Sequence, residues 1–196
     1  MIKFNDIPSY KPYELFKDYY EKALSAGQSS IEAICISSSI NDEVDSRFVN
    51  LKYITGDEWI FFSNYNSPKA LQFLDNKNIA CIFYWNKINI QIRLKAKIRK
   101  TNKAFSDDYF SKRLDTKNAL AISSDQSRPV NSYEDVISRY EHTLSTENLI
   151  IRPEYWGGYS FTPYYFEFWE GHESRLNKRE AYEKSDDSWK HLILQP

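Results

Sequence analysis

Several short segments of this 196-residue chain carry side chains suited to holding anions and flat rings. Arg47–Lys52 (RFVNLK) places two cations on one strand-like run. Positions 47 and 52 differ in parity, so on an unbroken strand they leave opposite faces and address two different anions. Asn64 to Lys69 (NYNSPK) runs a loop into a helix start. Free N–H groups there, with the Ser67 hydroxyl and the Lys69 ammonium, make a phosphate site that needs no glycine. Gln91, beside Arg93, offers an amide that could read the edge of a heterocycle. Tyr109 and Arg113 lie four apart, on one helical face, and a hydroxyl plus a guanidinium suits an anionic group. Gln126-Ser127-Arg128-Pro129 is a polar loop. In Glu173–Arg179 (ESRLNKR), Arg175, Asn177 and Arg179 would point the same way if the loop were extended. Taken singly, each segment reads equally as a solvated strand, a helix cap or a charged loop. Arg152–Gly171 is different: it holds three of the five glycines and two of the five tryptophans, and Trp156-Gly157-Gly158-Tyr159 is too specific for filler.

The elements that must position these groups are mostly strands. Residues 12–26 open the chain as a helix, with Pro12 in its first turn and Gly27 at its stop. Strand-like runs follow at Ile31–Ser38, Arg47–Ile54 and Glu58–Ser63, the last two joined by a Gly56-Asp57 turn. Ser67 caps a short helix whose first residue is Pro68. Asn78–Trp85 is nearly all apolar and reads as a strand buried on both faces. In Ile88–Lys100, Ile88, Ile90, Ile92, Leu94, Ala96 and Ile98 alternate with polar residues, the pattern of a long strand with one wet face. Residues 104–144 read as mainly helical, with a cap at Ser132, and strands return at Tyr159–Trp169 and Trp189–Leu194. The expected fold is mainly β with peripheral helices, an antiparallel barrel forming a single domain over 1–196.

Composition narrows the function. Aromatic residues make up 16% of the chain and glycine only 5 residues, at 27, 56, 157, 158 and 171. Neither a Rossmann fingerprint nor a P-loop can be built from that spacing, so any nucleotide phosphate must be held by side chains. A net charge of −1 argues against a general nucleic-acid binder. Cys35 and Cys81 sit in apolar runs and read as reduced, buried thiols, and the three histidines are too scattered for a metal site. The polar N-terminus is no signal peptide and no apolar run is long enough to span a membrane, so a cytoplasmic protein is expected.

In this order, RFVNLK, FSNYNSPK, FYW…INIQIRL, YFSKR, DQSRPVNS and RPEYWGGYSFTPYYFEFWEG…SRLNKR resemble the pyridoxine/pyridoxamine 5′-phosphate oxidase family over residues 12–196. The resemblance implies an FMN-binding split β-barrel, a homodimer with flavin at the subunit interface, and oxidation of pyridoxamine or pyridoxine 5′-phosphate to pyridoxal 5′-phosphate, with O₂ as acceptor and H₂O₂ as by-product. It places Arg47, Phe48, Val49, Asn50, Leu51 and Lys52 along the flavin, with Phe62, Ser63, Lys69, Gln91, Gln126, Ser127, Trp169 and Arg179 as further cofactor contacts. It assigns the substrate to Lys52, Tyr109, Arg113, Lys117, Arg175 and Asn177, with Arg175 and Asn177 at the reacting ring. The barrel strands would span 31–100, the helical segment 104–144, and the dimerising strands 152–196.

The chain departs from the family pattern in places. Pro68 stands for an arginine on the flavin phosphate, Lys117 for a serine on the substrate phosphate, and Asn177 for the histidine of an R-L-H motif. Ile90, Glu170 and Asn50 also differ, and no basic N-terminal arm is read. These changes favour two alternatives: a flavin oxidase of another substrate, as in phenazine biosynthesis, or a non-catalytic binder of FMN or pyridoxal phosphate.

Overall fold

The computed structural model describes all 196 residues. Ten strands and five helices follow one another as β1 (Lys3–Asn5), α1 (Lys11–Ser25), β2 (Ala33–Ile40), β3 (Glu43–Asn50), β4 (Tyr53–Thr55), β5 (Glu58–Asn64), α2 (Pro68–Asp75), β6 (Asn78–Trp85), β7 (Ile90–Lys100), α3 (Lys103–Ser111), α4 (Asp115–Ser123), α5 (Tyr133–Thr146), β8 (Trp156–Glu170), β9 (Lys178–Ser185) and β10 (Ser188–Ile193). One sheet takes the order β1-β4-β5-β8-β7-β6-β2-β3, with β9 on β8 and β10 on β9. Every pair is antiparallel except β1 with β4, and the terminal strands β1 and β3 are not paired, so the barrel stays open. No helix is long and apolar enough to cross a membrane.

The core sits where α1 packs on the sheet. Tyr13, Phe16, Tyr20 and Ala23 fall at helical spacing on one buried face of α1. The Phe16 ring meets Trp59 at 4.4 Å and Phe83 at 5.4 Å. From β7, Ile90, Ile92, Leu94, Ala96 and Ile98 enter the same core, as their alternation predicts. On β8 the inward positions are Tyr159, Phe161 and Pro163, then Phe166 and Phe168. The change of parity comes from a bulge: Lys95 faces Tyr165 and Ala96 faces Pro163, which leaves Tyr164 unpaired and exposed.

Several expectations are corrected. The run beginning at Arg47 starts instead at Glu43, as the second arm of a hairpin turned by Asn41 and Asp42, both with positive φ, and it breaks at Leu51–Lys52 before β4. β6 is not buried on both faces: Asn78, Ala80 and Tyr84 are exposed while their neighbours face the core. Ile88 and Asn89 belong to a turn, and β7 begins at Ile90. The helical stretch is three helices, broken over 112–114 and again over 124–132. The cap at Ser132 is present, its hydroxyl accepting from the Asp135 N–H at 3.1 Å. Ser67 holds the N-cap position of α2, but its hydroxyl donates to the Asn64 carbonyl rather than capping the helix. Neither thiol is in a disulfide; Cys81 is buried and Cys35 only half-buried.

Gly157 and Gly158 do not make a turn. They lie inside β8, where neighbouring side chains come too close for a Cβ. A methyl at Gly158 would sit 2.5 Å from Thr101 Oγ1 and 2.9 Å from its Cγ2. Thr101 is β-branched, stiff at χ1, and bonded to the Ser106 hydroxyl at 2.9 Å, so moving its side chain aside is costly. Gly158→Ala will therefore destabilise the fold by about 1–3 kcal/mol, read as a lower midpoint in urea with the slope unchanged.

Candidate functional site

A cleft of about 660 Å³ opens between the end of β3, the end of β5, and α3 with α4. Eleven of the residues singled out from sequence line it: Phe48, Val49, Asn50, Lys52, Phe62, Ser63, Lys69, Tyr109, Arg113, Lys117 and Gln126. Its charge is one-sided. Lys3, Lys52, Lys69, Lys112, Arg113 and Lys117 border it, against a single carboxylate, Asp108, which is paired with Lys112 at 2.6 Å. An unbalanced cluster of this kind in a recess favours anionic ligands.

The cations fall into two groups. The first is Lys69, in the first turn of α2, with only 7% of its surface exposed. Its ammonium donates to the Ser67 hydroxyl at 3.1 Å and the Ser63 hydroxyl at 3.4 Å, and forms no salt bridge. Burial, reinforced by nearby Arg47 and opposed by Asp45, lowers its pKa to about 8. Gln126 closes this end, its side-chain oxygen accepting from the Ser63 hydroxyl at 3.3 Å and the Asn64 N–H at 3.4 Å.

The second group is Lys52, Arg113 and Lys117. Burial depresses the Lys52 pKa, and the positive charges of Lys117 and Arg113 depress it further, while Glu32 opposes them. Arg113 is already oriented. One of its terminal nitrogens donates to Asn118 Oδ1 at 3.0 Å, and its guanidinium lies 4.4 Å above the Trp156 ring. Asn118 is itself fixed, donating to the carbonyls of Phe110 and Leu149. The cleft also has an aromatic wall. Phe62 is parallel to Tyr109 at 3.6 Å and to Trp156 at 5.4 Å.

Other singled-out residues lie elsewhere. Arg47 turns away from the cleft, donating to Ser38 Oγ at 2.6 Å and Gln72 Oε1 at 2.8 Å and pairing with Asp45 at 2.6 Å. Arg47 and Lys52 do diverge, as parity suggests, although the strand ends between them. Leu51 is fully buried in the core and its N–H is bound to the Glu32 carbonyl, so it offers no side chain to a ligand. Ser127 sits outside the cleft with φ +69. Gln91, Trp169 and Arg179 form one register row across β7, β8 and β9, on the face away from the core. Arg175, Asn177 and Arg179 do not share a face. Arg175 is an exposed turn residue with φ +60, Asn177 accepts the His172 N–H within that turn, and Arg179 belongs to β9. A turn at Glu173–Ser174 followed by left-handed Arg175 breaks the alternation that the expectation assumed. Trp156, Lys3 and Lys112 were not assigned to a site from sequence. The tryptophan's motif was conspicuous, and Lys112 adjoins Arg113, but nothing near Lys3 indicated that β1 brings it to the cleft.

A family model described as the pyridoxine 5′-phosphate oxidase C-terminal dimerisation region matches residues 156–196. Over almost its whole length the chain is also similar to pyridoxine/pyridoxamine 5′-phosphate oxidase 1 of Hydrogenovibrio crunogenus, 34% identical across 94% of this chain and 88% of that protein. The chain belongs to the pyridoxine/pyridoxamine 5′-phosphate oxidase family. Solved structures agree on the fold. PhzG from Burkholderia lata 383, in complex with tetrahydrophenazine-1-carboxylic acid, superposes with a TM-score of 0.90 at 24% identity, covering 96% of this chain and 94% of that one. A pyridoxamine 5′-phosphate oxidase-related, FMN binding protein from Nostoc punctiforme superposes with a TM-score of 0.77 at 11% identity, covering 96% and 99%. The open barrel described above is thus the split barrel of this oxidase family. The cleft is lined from β1, β3, β4, β5, α2, α3 and α4, with Gln126 and with Trp156 at the start of β8, whereas the row of Gln91, Trp169 and Arg179 draws two of its three strands from the matched dimerisation region.

Proposed function

We propose that this chain is an FMN-dependent oxidase that converts pyridoxamine or pyridoxine 5′-phosphate to pyridoxal 5′-phosphate. The observation that carries the reading is the pair of cation groups in one cleft that also has an aromatic wall. A two-ring, two-phosphate chemistry needs that layout: one phosphate on the cofactor, one on the substrate. The buried Lys69, which has hydroxyl partners but no counter-charge, fits the FMN phosphate at the start of α2. Lys52, Arg113 and Lys117 fit the phosphate of the substrate. Bound there, FMN would supply the hydride acceptor and O₂ the terminal oxidant. The protein's own part is to fix the two rings face to face and to neutralise the phosphates.

The row of Gln91, Trp169 and Arg179 lies outside this chain's cleft, and a second copy would bring its row to complete it, so the working unit is a homodimer. Arg175 and Asn177 would reach the substrate ring from that partner turn. Purified protein should be yellow. Anaerobic addition of pyridoxamine 5′-phosphate should bleach the flavin band, and admitting O₂ should restore it with release of H₂O₂. Colourless protein that takes up no FMN overturns the cofactor; yellow protein that no B6 phosphate reduces overturns the substrate.

One observation favours a different substrate for the same flavin. Asn177 cannot titrate near neutrality, and its side-chain oxygen is already engaged by the His172 N–H. A reduced tricyclic acid that bleaches the flavin faster than pyridoxamine 5′-phosphate would establish that alternative.

A further inference from the structure

On the outer face of β8, Glu167 is a carboxylate with 2% of its surface exposed, covered by its own partners. Its Oε1 accepts from Arg179 Nε at 3.0 Å and Nη2 at 2.7 Å. Its Oε2 accepts from Arg93 Nη1 at 2.9 Å and from the Tyr165 hydroxyl at 2.9 Å. Burying a carboxylate is costly unless each oxygen is satisfied, and here two guanidinium groups and a hydroxyl satisfy both. Arg179 is held at its third nitrogen as well, with Nη1 donating to the Gln195 carbonyl at 2.8 Å. A guanidinium carries five N–H groups in one plane. Three are fixed by the protein, so the plane has a set orientation and the two remaining N–H groups have a set direction. The neighbouring register row on the same face is Gln91, Trp169 and Arg179.

We propose that Glu167 is the positioning residue for Arg179: the fork between them aims the free N–H groups of Arg179 at a planar, anionic ligand lying over the Gln91–Trp169 row. Arg93 holds the other oxygen, so the carboxylate cannot swing away with the arginine. The inference rests on the reading that Arg179 faces FMN. It goes beyond that reading by assigning the buried carboxylate a role in ligand affinity and not only in holding the sheet together.

The test is FMN titration, followed by quenching of flavin fluorescence, on wild type, Glu167→Gln, Arg179→Ala and the double variant. Glu167→Gln should raise the Kd for FMN by about tenfold or more, because a charge-assisted fork is replaced by one neutral acceptor and a misplaced donor. In the Arg179→Ala background the same change should cost less than about twofold, since coupled residues are not additive. Glu167→Asp, which keeps the charge but withdraws it by one methylene, should weaken FMN binding as Glu167→Gln does, and it serves as the readout if the glutamine variant does not fold. A merely structural carboxylate would give losses that add in the double variant, and that result overturns the positioning role. So does wild-type affinity in Glu167→Gln or Glu167→Asp. Wild-type affinity in Arg179→Ala removes the premise instead, and shows that Arg179 does not face the flavin.

Discussion

Replacing Lys69 with methionine will weaken FMN binding by about 1.5–3 kcal/mol, roughly 10- to 150-fold in Kd, and will stabilise the ligand-free protein. Both effects have one cause. Lys69 is a buried cation with hydroxyl partners and no carboxylate on its ammonium. Without a ligand the charge lacks compensation, which is why burial lowers its pKa to about 8. With a phosphate beside it, the same charge becomes half of a buried, hydroxyl-supported pair. A pH titration separates the two states. In the ligand-free fold Lys69 releases its proton near pH 8, whereas in the unfolded chain it does so near its ordinary value of 10.5. Between those values the unfolded state holds more protons, so this residue makes ligand-free stability rise with pH. FMN binding runs the other way: the phosphate prefers the charged form, and Kd should climb above about pH 8, by at most roughly tenfold per unit. Titrations of Lys69→Met should show neither trend. An FMN affinity that stays constant from pH 7 to 9 in wild type would remove Lys69 from the phosphate site.

The second large effect is expected at the other end of the cleft. Arg113→Ala should cost about 1.5–3 kcal/mol in binding of pyridoxamine 5′-phosphate, measured as kcat/KM, and should leave any turnover of unphosphorylated pyridoxamine unchanged. The selectivity follows from the geometry. Asn118 and the Trp156 ring hold the guanidinium in place, so little side-chain entropy is lost when a phosphate binds. Lys117→Ser, which installs the hydroxyl the family resemblance expects, should act in the same direction but less strongly. It removes a point charge that is free of the aromatic wall, and it lets the Lys52 pKa recover, since Lys117 is one of the charges depressing it. Equal losses for phosphorylated and unphosphorylated substrates in Arg113→Ala would show that the variant damages the cleft wall and not a phosphate contact.

What the sequence disclosed follows burial. β7 was readable as a strand, inward face included, because one side of it is core and the other is not. α1 and the Gly56 turn were readable for similar local reasons, the latter through a left-handed residue that glycine accepts. β9 was not: its sequence, KREAYEKS, carries charge on most positions, and it is a strand because β8 offers it an edge. The first half of β3, Glu43–Ser46, is exposed throughout and polar except for Val44, so no alternation marks it, and the hairpin depends on Asn41 and Asp42 adopting positive φ. The reading of β6 as buried on both faces took apolar character for depth, although Ala80 and Tyr84 lie on the outer face. For the site, the order of motifs brought together the cleft residues from Phe48 to Gln126. It could not tell which residues meet within one chain. The separation of Gln91, Trp169 and Arg179 from Lys52 and Arg113 is a property of the fold, and no local pattern encodes it.

The unpaired Tyr164 has a consequence for how such a chain can vary. Up to Pro163 the odd residues of β8 face the core, and beyond the bulge the even ones do. That single offset puts Glu167 and Trp169 outside and Phe166 and Phe168 inside. Loss of Tyr164 would close the bulge into a regular ladder, with Tyr165 following Pro163 directly, and would leave Glu167 and Trp169 outside and Phe166 and Phe168 inside. Shortening by one residue at this point is therefore neutral for the face each later side chain takes, whereas a one-residue slip in a regular stretch of strand exchanges the faces beyond it. Position 164 is thus spare length in the strand: it faces no partner on β7, and its removal keeps the phase of every side chain beyond it.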